Sequence, residues 1–174
     1  MKVNAKKVPH NYLSILLKTI SNPSIGLSND VFRFISQVTP LINVDLLIND
    51  PAKGTLLTWR DDEFYGPGWH VPGGIIRFKE SAETRIMKVA ESELGITVTF
   101  EKKPIEVNEI MNKNRNIRGH FISLLYSCKL TSSLSEDFFF RQENPTNGYW
   151  QWFKDCPDNL IYQHEIYRQH IGLI

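Results

Sequence analysis

The chain has 174 residues with 41% apolar side chains, a length and composition that suit one domain with a real core and exclude a wholly disordered chain. Twenty basic residues stand against nineteen acidic ones, for a net charge of +1. That balance excludes a broad basic surface for nucleic acid, yet leaves room for a small anionic ligand held by local positive charge. The two cysteines, Cys128 and Cys156, form no CxxC pair and have no histidine cluster beside them. They read as two reduced thiols.

In chain order, the basic N-terminus carries an apolar stretch, Tyr12 to Ile20, broken by Ser14, Lys18 and Thr19. It falls short of the roughly 20 residues of a membrane span, and no small-residue cleavage site follows it. A cytoplasmic protein without a membrane partner is expected. Residues 11–20 predict a short helix ending near Asn22-Pro23, and residues 24–28 a linker. Ser28, Asn29 and Asp30 are good N-cap residues for a helix with Val31, Phe34, Ile35 and Val38 at helical spacing, stopped by Thr39-Pro40. LINVDLLI (41–48) predicts a buried strand, NDPAKG a turn, and TLLTWR (55–60) the hairpin partner. A loop and WHVPGG follow. SAETRIMKVAESEL (81–94) predicts a helix burying Ile86, Val89 and Ala90, with Gly95 at the C′ position. Residues 96–111 predict one or two strands, NKNRNIRG a polar turn, residues 120–130 a buried strand, and YWQWF (149–153) a short strand. A terminal helix is expected from near Asp158. Helices alternating with strands predict an α/β fold, helices packed on a mixed sheet.

The stretch that carries chemistry is GGIIRFKESAETRIMKVAESELGI, residues 73–96. A glycine turn exposes backbone carbonyls, and a helix puts residues three or four apart on one side. Together they bring the Gly74 carbonyl and a helical carboxylate to one point. Such oxygens suit a hard cation, which in turn binds phosphate oxygens. An ordinary solvated helix accounts for the same charge pattern.

The stretch resembles the Nudix box, G-x5-E-x7-R-E-U-x-E-E-x-G-U with U apolar. Gly74, Glu80, Glu93, Gly95 and Ile96 match, and Lys88 stands for the arginine. Val89 and Ser92 replace two of the acids. A Nudix pyrophosphohydrolase uses those acids to hold further metal ions. GDP-mannose mannosyl hydrolases, a branch of the superfamily, also lack them and keep the last one. The sequence is similar to that branch at Thr39-Pro40-Leu41, Asp45, Arg60, Trp69-x-Val71-Pro72-Gly73-Gly74 and His120. More weakly, Asp158-Asn159 and Tyr167 also resemble it. The resemblance runs over roughly residues 28–170, leaving 1–27 as an N-terminal extension to a Nudix domain of residues 28–174.

The resemblance implies an α/β/α sandwich and a magnesium-dependent homodimer. Its substrate would be a nucleoside diphosphate sugar of GDP-mannose or GDP-glucose type, with water attacking the sugar carbon and the nucleoside diphosphate leaving. It places the metal on the Gly74 carbonyl, Glu93 and Gln142, and substrate contacts on Asp45, Arg60 and Arg77. Arg77 enters because the branch has arginine where this sequence has Ile75. The branch has a Gln-His pair in a late loop that here reads RQENPTNGYWQW. With a gap, Gln142 fits and Glu143 follows it, which makes Glu143 the candidate general base beside catalytic Arg60. Without a gap, Thr146 and Asn147 take those places. Each residue also has a plainer reading. Glu80 and Lys88 would brace the loop as an exposed pair. Asp45 would be held by structural hydrogen bonds, and His120 would be a strand histidine. His70, His164 and His170 have no motif support. Two other functions stay open: pyrophosphate cleavage, and nucleotide-sugar binding without turnover.

Overall fold

The computed structural model describes residues 9–141 and 144–173. Two helices come first, α1 (His10–Thr19) and α2 (Asn29–Val38). Strands β1 (Leu41–Asp50), β2 (Gly54–Arg60), β3 (Gly68–His70) and β4 (Gly73–Ile75) lead into helix α3 (Ala82–Leu94). Strands β5 (Val98–Phe100), β6 (Glu106–Met111), β7 (His120–Leu130) and β8 (Trp150–Phe153) follow.

The strands make one mixed sheet with the order β3-β2-β1-β7-β5, in which β4 also pairs with β1, β6 with β7 and β8 with β2. β1 and β7 run parallel from Leu41↔Phe121 to Ile48↔Cys128. Both are covered on two faces, which is why they read as nearly continuous apolar runs. Val44, Leu46 and Ile48 of β1 pack with Ile86, Val89, Ala90 and Leu94 of α3. Alternation sends Leu47 to the opposite face, where Trp69, Leu125, Leu160 and Tyr167 form a second cluster. A third cluster joins Leu41, Tyr65 and Phe121 to Phe32 and Ile35 of α2, and to Ile75. The expected α/β/α layering is present. The hairpin expected of β1 and β2 pairs only at its tip, Asn49↔Thr55 and Asp50↔Gly54, because lower down β1 takes β4 as its neighbour.

The α3 ends are as their residues dictate. Ser81 caps the Thr84 N–H through its side chain, and Gly95 takes the left-handed conformation at φ 65°. The C-terminal element differs from the α-helix expected from near Asp158. Tyr162–His170 is a 3-10 helix. Three residues per turn place His164 and Tyr167 on one side, both buried, with Ile161 ahead of them in line. Helix α1 buries no residue. Among the described residues, no helix is long and apolar enough to cross a membrane.

Candidate functional site

The end of α3, β4, β2 and the 3-10 segment enclose a pocket of about 490 Å³. Asp45, Arg60, His70, Gly74, Glu93 and Arg118 all line it. The glycine pair explains how the walls approach. A Cβ on Gly74 would lie 2.7 Å from Val89 Cγ2, and one on Gly73 would collide with Asp45 Oδ1. Only glycine lets β4 lie against both the helix and β1. Gly74 and Glu93 both line this pocket.

The box positions divide by helical phase. Val89 is 3% exposed and part of the α3 core, so the acid missing there would have to displace core packing. Ser92 lines the pocket beside half-buried Glu93. Among the described residues, no group of three or more His, Cys, Asp or Glu side chains could hold a metal. Of the lining residues, Glu93 offers a carboxylate and Gly74 a backbone carbonyl. This set fits magnesium, which keeps several waters and takes few protein ligands.

His70 was not singled out by its sequence context, yet it faces Glu93. Its Nδ1 lies 2.8 Å from the Thr58 carbonyl oxygen, which can only accept, so Nδ1 carries the proton. Its Nε2 lies 3.6 Å from Glu93 Oε2 and 3.4 Å from Thr58 Oγ1. His164, equally unmarked, accepts the Val71 N–H through Nδ1 at 3.1 Å. Burial, with the His70 and Arg60 charges, holds its pKa well below the ordinary 6.5, so it stays neutral.

Asp45 lies at the pocket floor, 1% exposed. It accepts hydrogen bonds from Asn43 at 2.6 Å, Tyr167 at 2.6 Å and Ser123. These are the structural hydrogen bonds of its plainer reading, and among the described residues no arginine bonds to it. Burial pushes its pKa from 3.8 up to about 6, against the pull of the Ser123, Tyr167 and Asn43 bonds.

Arg60 lines the pocket, with Nε 2.6 Å from Asp62 and its guanidinium 4.8 Å from the centre of the Tyr65 ring. Arg77 does not reach it: Arg77 Nη1 donates to the Ile25 carbonyl, tying the loop before α3 to the segment after α1. Glu80 braces that loop more deeply than an exposed pair. Its side chain is 4% exposed and holds Lys88 Nζ at 2.9 Å, Arg85 Nε at 2.8 Å and the Arg77 N–H at 3.0 Å. Burial opposes its charge, but the Arg77 N–H, Lys88 and Arg85 prevail and lower its pKa from 4.5 to about 2.

His120 lies outside this pocket, 3.0 Å from Glu109. Gln142 and Glu143 lie outside the described residues. Of the ungapped alternatives, Asn147 lines the pocket, but its amide is engaged by Asp61, donating to the carbonyl at 2.7 Å and accepting the N–H at 2.5 Å. Both cysteines are free, and burial pushes the Cys128 thiol up to about 12, too high for a nucleophile or ligand.

This architecture matches solved Nudix structures. A UDP-X diphosphatase superposes with a TM-score of 0.54 at 22% identity, over 92% of this chain and 75% of that one. The chain has the Nudix fold. A Nudix hydrolase from Nitrosomonas europaea gives 0.53 at 16% identity, over 66% and 72%. A MutT Nudix hydrolase from Burkholderia pseudomallei gives 0.52 at 19%, over 76% and 98%. In sequence, 81 residues are 35% identical to the low-salt glycan biosynthesis protein Agl8 of Haloferax volcanii. The match takes in 47% of this chain and 51% of Agl8, so the chain spans about half the length of that curated relative. No family model matches.

Proposed function

We propose that this Nudix-fold chain is a magnesium-dependent hydrolase of a nucleoside diphosphate sugar, GDP-mannose or GDP-glucose first, releasing sugar and nucleoside diphosphate. The observation that carries the reading is the meeting of Gly74, Glu93 and Arg60 in one pocket. A carboxylate and a carbonyl on one wall and a guanidinium on another complement a diphosphate bound with its cation. Magnesium bound there supplies positive charge to the departing diphosphate. Glu93 and the Gly74 carbonyl would hold that ion, with Gln142 as the third ligand that the family resemblance suggests. Arg60 meets the phosphate oxygens through its free guanidinium edge, while Asp62 and Tyr65 fix the rest of the side chain. Asp45 contributes by anchoring the floor beneath Gly73, through Ser123 and Tyr167. Glu143 takes the proton from the attacking water, on a loop whose far end, Asn147 and Gly148, forms pocket wall. The reading includes a homodimer in the cytoplasm, without nucleic-acid or membrane partners.

Two rivals have observations of their own. The broad superposition on a UDP-X diphosphatase favours cleavage between the phosphates. The placement of Val89 in the core, where no acid can join Glu93, favours binding without turnover. Fold alone does not choose among these. A nucleotide-sugar panel with magnesium, scored by product, does: free sugar with nucleoside diphosphate is expected. Sugar phosphate with nucleoside monophosphate would establish the first rival, and saturable binding with no product the second. Glu93→Gln belongs in the same experiment, with magnesium binding read by calorimetry. An unchanged magnesium isotherm in that variant would remove the site assignment.

A further inference from the structure

Three arginines surround one tyrosine at the pocket mouth. The guanidinium carbons of Arg60, Arg118 and Arg115 lie 4.8, 5.0 and 5.1 Å from the centre of the Tyr65 ring. Arg118 lies also 5.0 Å from the Phe64 ring centre and 5.8 Å from that of Phe32. Among the described residues, the only carboxylate bonded to any of the three is Asp62, on Arg60. Its other oxygen is taken by the Phe64 and Tyr65 N–H groups at 2.7 and 2.9 Å. Aromatic faces hold a guanidinium without neutralising it and leave its donor edge free.

Arg118 is built into this place rather than draped over it. Its backbone is left-handed, at φ 52°, which a non-glycine residue adopts at a cost. Its carbonyl accepts the Tyr65 hydroxyl at 3.0 Å, and its N–H donates to Ser36 Oγ at 3.3 Å. The strained turn is thus pinned by α2 and by the loop between β2 and β3. Its Nε is buried and has no hydrogen-bond partner among the described residues. Arg115 Nη1 is buried and unpartnered in the same way, so the position on the pocket wall, not the orphan nitrogen, singles out Arg118. Arg118 and Arg60 line the same pocket, whereas Arg115 does not. Asp62 acts on both charges, so two guanidiniums share one carboxylate and the pair keeps a net positive charge that suits an anion.

We propose that Arg60 and Arg118 form a phosphate subsite in the pocket, with the Arg118 guanidinium as its second charged donor. That the phosphate belongs to a nucleoside diphosphate rests on the function proposed above; that the pair takes a phosphate group does not. Ile75, in the same cluster as Tyr65 and Phe64, contributes apolar packing here rather than charge. Arg118 brings the second guanidinium from the turn between β6 and β7.

The test is calorimetric, in EDTA so that no cation bridges. The probes are inorganic pyrophosphate, GDP, UDP and guanosine, against wild type, Arg118→Gln, Arg118→Lys and Arg115→Gln. Wild type is expected to bind pyrophosphate and both nucleoside diphosphates. Arg118→Gln is expected to weaken them by about 10- to 100-fold, the range of one or two charge-assisted hydrogen bonds. Guanosine binding should not follow that change. Arg118→Lys keeps the charge but lacks the fork and Nε, and should recover only part of the loss. Arg115→Gln should stay within about twofold of wild type, since the loss tracks the pocket wall and not the stack. Equal pyrophosphate and diphosphate binding by wild type and a folded Arg118→Gln overturns the proposal. So does a wild type that binds none of the phosphate probes at millimolar concentration. If Arg118→Gln proves unfolded, Arg118→Lys decides: affinity equal to wild type overturns the proposed guanidinium donor, and a partial loss supports it. If pyrophosphate affinity falls as expected in a protein that hydrolyses no nucleotide sugar, the subsite stands and the hydrolase reading falls.

Discussion

Asp45 sets a pH dependence that can be worked out from its surroundings. Its pKa rises from 3.8 to about 6 because burial outweighs three donated hydrogen bonds. The difference corresponds to about 3 kcal/mol, at about 1.36 kcal/mol per tenfold change in proton affinity. For a group whose folded pKa is raised, the stabilisation is fully present below the unfolded value of 3.8. It is lost as pH rises through about 6. Asp45→Asn removes the charge and keeps the shape. The amide nitrogen must then face one of the three former donors, which shifts stability by a constant, roughly 1–3 kcal/mol. Neither Ser123 nor Asn43 titrates, and burial with the Asp45 charge drives the Tyr167 phenol upwards, out of range. The hydrogen-bond offset is therefore independent of pH, and the slope, which includes the pull of the His70 charge on Asp45, is the signal. Urea unfolding of both proteins in EDTA, at intervals from pH 4 to pH 8, measures it. Relative to wild type, the variant should gain about 2–3 kcal/mol across that range, nearly all below pH 7. A difference flat to within about 0.5 kcal/mol would show that Asp45 ionises normally, and the buried floor described here would be wrong.

Glu80 acts in the opposite sense and in a lower window. Its depressed pKa contributes stability above 4.5 that is lost as pH falls towards about 2, so Glu80→Gln should lower stability by about 1–2 kcal/mol at pH 7 and much less near pH 2.5. A gap that stays constant under acid unfolding would mean the Lys88 and Arg85 contacts do not stabilise its charge. Glu143→Gln should lower kcat by about 10²–10⁴ while leaving magnesium binding intact; a wild-type kcat would mean that the base lies elsewhere, with His120 the next residue to substitute.

The readable parts of this chain are those where one local rule decides. Helix α3 has a capping serine, an apolar stripe and a C′ glycine, all pointing the same way, and it forms as expected. The long strands β1 and β7 read as apolar runs because both faces are covered. Gly74 and Glu93 share a pocket because a fixed spacing across a glycine turn and a helix leaves them little choice. Arg77 illustrates the limit. Proximity in sequence to Ile75 made it the natural substitute, but the loop turns it towards Ile25. Arg118 is distant in sequence and lies in a polar turn with no periodic signal, yet parallel pairing of β7 with β1 delivers that turn to the pocket mouth. The 3-10 segment was equally hidden. His164 and Tyr167 are spaced by three residues, which at the residue level is indistinguishable from an α-helical pair, and only the buried Ile161 ahead of them keeps the period at three.

The charge balance of the pocket follows from these placements. A departing diphosphate gains negative charge, and the positive charge that meets it has two sources, cations held by acids and guanidiniums fixed in the wall. Val89 belongs to the core, so helix α3 turns one acid, Glu93, towards the site. That limits what cations alone can neutralise. Arg60 and Arg118 differ from a second cation in not being exchangeable: Tyr65, Phe64 and the pinned turn hold them whether or not a ligand is present. Charge fixed in advance needs no rearrangement when the bond breaks, and its contribution does not vary with magnesium concentration. Under the proposed function, magnesium dependence should then follow a single binding isotherm governed by Glu93, while substitutions at the arginines change the rate at saturating magnesium without changing that isotherm.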